Sequence, residues 1–290
     1  MTVNASDPTT RVPAAPRPRV RVWAITGGWV VLDGPVWLTG GVDTSLRDAY
    51  LARIGAGRTS SLAELQERHL RTVPFENLSV HLGEDIALDA DALVTKIVKE
   101  RRGGFCYELN GALAALLTAL GHDVELLAAR SLGDHLGIPF DHLALRVGPW
   151  LVDVGFGRFA HHPLRLDERG DQPDPGGVFR IAETAGGDLD VFRDGAPEYR
   201  LETRPRELRD FVTGCWWHRT SPESHFTRSL ICSILTEDGR VTLSGRTLIR
   251  TGDDGARDER ELRDDADVRR AYRTHFGITV DRVPAVRAPS

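Results

Sequence analysis

The chain is poor in cysteine, in net charge and in long apolar runs, and each shortage excludes a class of function. Three cysteines in 290 residues, none of them in a Cys-x-x-Cys pair, do not make a disulfide framework. A net charge of −5 with an isoelectric point near 6.1 leaves no electrostatic footprint for nucleic acid. The apolar stretch Val22 to Leu32 follows three arginines in the manner of a signal peptide. It is interrupted by Gly27-Gly28, lacks an Ala-x-Ala cleavage site and is far too short to span a bilayer. No P-loop or other nucleotide fingerprint occurs. What is present, 41% hydrophobic and 27% charged residues, can bury a large core and build two or three domains.

Periodicity divides the chain in order. Met1 to Arg21, rich in Pro, Ala and Arg, reads as a disordered tail. From Thr44 to Leu120 the pattern is helical, with helices over Ser45 to Ile54, Ser61 to Val73 and Asp89 to Arg101, and one starting at Cys106. From Val124 to about Thr203, short alternating runs broken by Gly, Asp and Pro indicate antiparallel β-structure. A helix over Arg206 to Phe211, strands around Ser229 to Leu235 and Arg240 to Ile249, and a helix over Asp265 to Phe276 follow. The class is α+β, with segments 1–36, 37–121, 122–205 and 206–290 as an extension, a helical domain, a β domain and a mixed α/β domain.

The stretch Arg102-Gly103-Gly104-Phe105-Cys106 brings a cysteine on a glycine-rich approach into a helix opening. Leu109, Leu113, Leu116, Leu117 and Leu120 give that helix a buried face, and Gly121 offers a stop. Unpaired N–H groups and the positive end of the dipole at a helix start favour a thiolate. A small buried thiol packing as a hydrophobe is the alternative, and it is how Cys215 and Cys232 read.

A nucleophilic thiol needs a base and a group that holds the base. Two β-rich runs flank Gly148-Pro149, which reads as a two-residue hairpin loop with glycine where positive φ is needed. In that register Val147 faces Trp150 and Ala144 faces Asp153. His142 shares a face with Ala144, so His142 and Asp153 are diagonal neighbours at about 7–8 Å between Cα atoms. That spacing lets an imidazole be oriented by a carboxylate.

The Arg-Gly-Gly-Phe-Cys motif with Glu108 and Asn110, Val73-Pro74-Phe75-Glu76-Asn77-Leu78 upstream, Asp153-Val154-Gly155-Phe156-Gly157 downstream, and later Ser221-Pro222-Glu223-Ser224-His225-Phe226 and Ile231-Cys232-Ser233 resemble the arylamine N-acetyltransferases. The match runs from about Trp37 to the C-terminus. The resemblance implies an N-terminal helical bundle, a central antiparallel β-barrel and a C-terminal α/β lid around a cysteine-protease-like Cys-His-Asp core, with the site at a junction. By position it makes Cys106 the nucleophile, His142 the base and Asp153 the orienting carboxylate. It implies acetyl-CoA as co-substrate, no metal, and an arylamine or hydrazine acceptor acetylated through an acetyl-cysteine in two half-steps. It places Phe75 and Phe156 at the acceptor pocket and Trp217 and Ser221 at the CoA site, whereas Glu76, Asn77, Glu108 and Asn110 read as supporting hydrogen-bond partners or caps. A reactive thiol of this kind suits the reducing cytoplasm, with neither nucleic acid nor membrane as partner. His142 and Asp153 stand closer in sequence than the family pattern suggests, because the hairpin between them is tight; an even-numbered trimming preserves their facing. His161 and His162, without acidic partners at ligand spacing, read as solvated.

Other readings of the same residues are an amide synthase acylating an aromatic amine from a carrier-bound chain, a papain- or transglutaminase-like cysteine enzyme, and a binding module without catalysis.

Overall fold

The computed structural model describes residues 44–286 and, before them, two strands, β1 (Arg19–Trp23) and β2 (Trp29–Asp33). These strands pair antiparallel, with Arg19 opposite Asp33 and Val22 opposite Val30. The tail expected over Met1–Arg21 therefore ends in strand at 19–21, and its positions 1–18 lie outside the described residues. Residues 44–286 form one compact unit.

Its first part is helical: α1 (Thr44–Ile54), α2 (Leu62–Thr72), α3 (Leu78–Leu82), α4 (Ala90–Val98) and α5 (Cys106–Ala119). Side-chain caps explain two of the starts. Ser61 accepts from the Glu64 amide at 3.2 Å, and Asp89 accepts from the Ala92 amide at 3.1 Å. Helix α5 is buried more thoroughly than its periodicity predicts, because every residue from Cys106 to Leu117 is inaccessible rather than one face alone. Apolar residues all round the helix account for this, and each fully buried leucine contributes about 1.5–3 kcal/mol.

Between α2 and α3, Phe75 and Glu76 form a short strand, β3 (Phe75–Glu76), within a region expected to be helical.

An eight-stranded antiparallel sheet follows: β4 (Val124–Ser131), β5 (His142–Val147), β6 (Trp150–Val152), β7 (Leu164–Arg165), β8 (Gln172–Asp174), β9 (Gly177–Glu183), β10 (Leu189–Arg193) and β11 (Ala196–Arg206). The order is β7-β6-β5-β4-β11-β10-β9-β8. The two end strands approach each other, since the Gln172 side chain accepts from the Arg165 amide at 2.7 Å and donates to its carbonyl at 3.0 Å. The sheet is thus a nearly closed barrel. Alternation along β4 and β5 sends Leu127, Ala129 and Ala144 into a cluster with Phe159, Phe179 and Tyr199, and sends Leu126, Ala128, Leu143 and Leu145 into the cluster that contains α5. Both faces of these strands are consumed, which fixes the register of His142.

A 3₁₀ turn (Leu208–Phe211), α6 (Val212–Thr220) and α7 (His225–Arg228) lead to β12 (Ile231–Thr236), β13 (Gly239–Ser244), β14 (Thr247–Gly252), β15 (Arg257–Glu261) and α8 (Asp265–Ala271), which runs into a π turn (Tyr272–Phe276). The sheet order is β15-β14-β13-β12-β3. The run Arg240 to Ile249, expected as continuous strand, is two strands joined by a tight turn. The helix expected over Arg206 to Phe211 is present as the 3₁₀ turn over Leu208–Phe211, with strand still at Arg206 and α-helix from Val212.

Candidate active site

The start of α5 is held by the strand that precedes it. Strand β3 pairs with β12, Phe75 opposite Ser233 and Glu76 opposite Cys232, and the Glu76 amide donates to the Gly104 carbonyl at 2.9 Å. The Val-Pro-Phe-Glu-Asn motif is therefore the strip that joins the glycine approach to the C-terminal sheet. Glu76 accepts from the Arg102 guanidinium at 2.9 Å, the Leu78 amide at 2.7 Å and the Gly103 amide at 3.3 Å. Burial pushes the Glu76 carboxyl up, but Arg102, Lys96 and the Leu78 amide hold it below the usual range. Glu108 accepts from the Phe105 amide at 3.2 Å and pairs with Lys96, capping α5 at the residue before Cys106.

The hairpin joining His142 to Asp153 has the expected register, with Val147 opposite Trp150, Leu145 opposite Val152, and Gly148 at φ 57°. Asp153 lies just beyond β6, and its Oδ2 meets His142 Nε2 at 2.7 Å. Three more donors complete the carboxylate: Asn110 Nδ2 at 2.8 Å, the Gly155 amide at 2.9 Å and the Tyr199 hydroxyl at 3.2 Å. Burial and the Asp153 charge push the Tyr199 phenol up, so it remains a donor. Asn110, one turn after Cys106 on α5, also donates to the Leu143 carbonyl at 2.6 Å and accepts from the Val154 amide at 2.9 Å. One amide thus ties α5 to β5 and to the segment just after β6. A Cβ on Gly155 would stand 2.6 Å from Cys106 Cα and 2.7 Å from Asn110 Nδ2, so only glycine permits this approach.

Cys106 and His142 line one cavity of about 610 Å³. The thiol points toward the Asp141 carbonyl at 4.0 Å. Nε2 is engaged with Asp153, which leaves Nδ1 as the nitrogen available for proton transfer. Burial pushes the Cys106 thiol well up; the Leu143 amide opposes this, and the charges of Asp141 and Asp153 add to it. The thiolate preference expected from the helix start is therefore outweighed. A helix terminus contributes about 0.3–1 kcal/mol, whereas full burial acts at roughly 4–7 kcal/mol.

A second histidine–aspartate pair borders the same cavity. His218 Nε2 on α6 lies 3.0 Å from Asp141 Oδ1 and 3.1 Å from the Asp141 carbonyl, and its Nδ1 lies 3.3 Å from Ser224 Oγ. The Ser131 amide donates to Asp141 Oδ2 at 3.0 Å, and the Tyr107 hydroxyl donates to the Asp141 carbonyl at 3.0 Å. Neither Asp141 nor His218 carries a motif, and the pair is 77 residues apart; Tyr199, the one aromatic of β11, likewise belongs to no motif. The one sequence hint was Asp141 directly before His142.

The other anticipated residues separate. Phe156 packs edge-on to His142 with ring centroids 5.0 Å apart, and Phe75 and Trp217 also line the cavity of Cys106. Ser221 ends α6, with its hydroxyl accepting from the Glu223 amide at 3.2 Å, and is not part of that lining. Cys215 and Cys232 are buried and free. His161 is buried rather than solvated, and His162 Nδ1 meets Asp174 at 3.1 Å. Among the described residues no cluster of three metal-ligating side chains occurs, and no helix is long and apolar enough to cross a membrane.

A family model for N-acetyltransferases matches residues 59–285. The arylamine N-acetyltransferase of Mycolicibacterium smegmatis is 38% identical over 221 residues, covering 69% of this chain and 80% of its own. The solved arylamine N-acetyltransferase from Salmonella typhimurium is similar at a TM-score of 0.76 and 28% identity, across 85% of this chain and 96% of that one. The Mycobacterium marinum arylamine N-acetyltransferase in complex with CoA gives 0.72 at 32% identity, over 80% and 92%. With its barrel, its glycine approach and most of its length matched, the chain belongs to the arylamine N-acetyltransferase family and is an acyltransferase.

Proposed function

We propose that the protein moves an acetyl group from acetyl-CoA to the nitrogen of an arylamine or hydrazine by way of acetyl-Cys106. The observation that carries this reading is the 2.7 Å His142–Asp153 bond on the wall of the cavity that holds the Cys106 thiol. His142 Nδ1 takes the thiol proton as sulfur attacks the thioester carbon. The C–S bond to CoA breaks, CoA leaves with the proton from His142, and the acetyl group stays on Cys106. The amine then attacks the same carbon and gives its proton to His142; the bond to Cys106 breaks and the sulfur recovers the proton. Exchanging one thioester for another is nearly balanced in energy, which suits a thiol. Each half-step passes through an oxyanion. The Cys106 and Tyr107 amides precede the first intrahelical bonds of α5, made by Glu108 and Leu109 to the Phe105 carbonyl, and serve as donors worth about 3 kcal/mol each.

Asp153, satisfied by four donors, orients His142 and supports the imidazolium. Phe75 and Phe156 wall the acceptor. Trp217 borders the donor, and Ser221, at the far end of the same helix, belongs to the outer part of its path. The transfer as written needs no metal, and a thiol that must stay reduced suits a reducing cytoplasm. Incubation with acetyl-CoA alone yields a protein one acetyl group heavier, modified on Cys106, and 4-aminobenzoate then restores the original mass. A protein that releases CoA only when the amine is present, with Cys106 never acetylated, ends this reading.

A further inference from the structure

Directly before His142 the chain makes a turn that its residues do not favour. Phe140 sits at φ 58°, in the left-handed region that a bulky side chain enters only under constraint. Two helices supply the constraint. The Tyr107 hydroxyl on α5 donates to the Phe140 carbonyl at 2.7 Å and to the Asp141 carbonyl at 3.0 Å. Helix α6 passes so close that a Cβ on Gly214 would stand 2.4 Å from the Phe140 carbonyl oxygen. The Phe140 ring packs edge-on to Phe211, with centroids 5.4 Å apart.

The turn aims one oxygen at the nucleophile, since the Asp141 carbonyl lies 4.0 Å from Cys106 Sγ. Tyr107 has one hydroxyl proton for two carbonyls, so the further donor to this oxygen is His218 Nε2 at 3.1 Å, which also meets Asp141 Oδ1 at 3.0 Å. Facing two acceptors, Nε2 carries a proton. The imidazole is itself fixed: Phe105, Trp217 and Phe226 stand edge-on to it at 6.4, 5.1 and 5.1 Å, and Nδ1 lies 3.3 Å from Ser224 Oγ. One ring on α6 therefore grips both the main chain and the side chain of the residue bonded to His142.

We infer that His218 is a positioning residue that acts through Asp141, holding the constrained turn at 140–141 so that His142 keeps its place in the cavity of Cys106. This rests on the acetyl-transfer reading above and adds a residue to it. The same bond engages a lone pair of the carbonyl that faces the sulfur, and so reduces the negative dipole that opposes a thiolate there. With both ring nitrogens turned to protein groups, His218 has none left for either substrate, and its loss falls on kcat.

His218→Ala lowers kcat about tenfold and leaves the KM for acetyl-CoA and for 4-aminobenzoate within about twofold. His218→Gln, whose amide supplies a donor to Asp141, recovers most of the rate. Combined with Asp141→Asn, His218→Ala loses no more than the worse single variant, because the two residues act as a unit. Losses that multiply to about a hundredfold, or a raised KM with kcat kept, overturn the assignment. Alkylation of Cys106 by iodoacetamide needs no acyl donor, and at pH 7 it slows about tenfold in His218→Ala and far less in His218→Gln. An unchanged alkylation rate in His218→Ala overturns the assignment, whereas this slowing in a protein whose wild type never forms acetyl-Cys106 sinks only the transfer reading. One measurement needs no variant: ¹⁵N-resolved NMR of the wild type shows a proton on His218 Nε2 that is shielded from exchange with water. A bare Nε2, or a proton that exchanges as fast as that of an exposed histidine, also overturns the assignment.

Discussion

Two histidine–aspartate pairs stand at the cavity that Cys106 lines, and they differ in what the imidazole has left to give. His218 has partners on both ring nitrogens, Asp141 at 3.0 Å and Ser224 at 3.3 Å. His142 has one, Asp153 at 2.7 Å, and its second nitrogen belongs to the cavity. Both pairs are buried, with histidine side chains 4% and 8% exposed, so depth does not distinguish them. A saturated imidazole braces and a half-saturated one can move a proton. The first pair joins α6 to the residue before His142 across 77 positions; the second lies within one hairpin. On the function proposed above, chemistry belongs to the hairpin pair and positioning to the pair that bridges helix and strand.

The largest expected effect breaks the hairpin pair. Asp153→Asn keeps the shape but reverses a donor–acceptor relation, and kcat for arylamine acetylation falls by about 10³-fold or more, as in hydrolases with the same arrangement. Asp141→Asn costs about tenfold. If the two substitutions reduce kcat equally, the division of labour is wrong.

Alkylation gives the next contrast. Because burial pushes the Cys106 thiol up, its reactivity at pH 7 depends on an imidazole that can accept the proton. Iodoacetamide modifies His142→Ala about 10²-fold more slowly than wild type at pH 7, and the variant gains reactivity only in alkaline solution. His218→Gln remains within a few-fold of wild type. Mass spectrometry of the modified Cys106 peptide over a pH series measures both. Identical profiles for wild type and His142→Ala mean that the sulfur ionises without this base.

Some of this was legible in the sequence because it is local. The hairpin register followed from Gly148-Pro149 and alternation, and the opening of α5 followed from leucine spacing. The strand character of Phe75-Glu76 was not legible, since a two-residue strand has no period; its partners at 232 and 233 supply it. Likewise α5 reads as amphipathic from its leucines, whereas Tyr107, Asn110 and Gly111 are buried by elements distant in sequence. The turn at Gly245 was hidden within a run of good strand formers. Polar residues that finish the site, Tyr199, Asp141 and His218, carry no spacing rule because each reaches its partner through the tertiary fold.

Asp141 also leaves a mark on stability. Burial raises its carboxyl, but His218 and Ser131 hold it below the ordinary carboxylate range. A depressed acid stabilises the fold at pH values above its unfolded range, near 4, and that contribution is lost as pH falls through the folded value. Urea denaturation from pH 7 to pH 3 therefore shows Asp141→Asn less stable than wild type by about 1–3 kcal/mol at neutral pH, with the gap closing in acid. A gap that is constant with pH assigns the loss to packing instead.

The smallest effect tests whether the hairpin carboxylate needs all four donors. Tyr199→Phe keeps the ring, which packs 5.3 Å from His142 and 4.9 Å from Phe156, and removes only the 3.2 Å bond to Asp153. A lost hydrogen bond of this kind is worth about 0.5–1.5 kcal/mol. If Asp153 serves to steady a charged imidazole, the loss falls on kcat, by a few-fold, and leaves the amine KM in place, because the missing bond matters most when His142 carries the proton. If the hydroxyl instead holds the aromatic wall of the acceptor pocket, KM rises and kcat is kept. Steady-state kinetics with 4-aminobenzoate at saturating acetyl-CoA separates the two, and the second outcome would move Tyr199 from the triad's support to the pocket's.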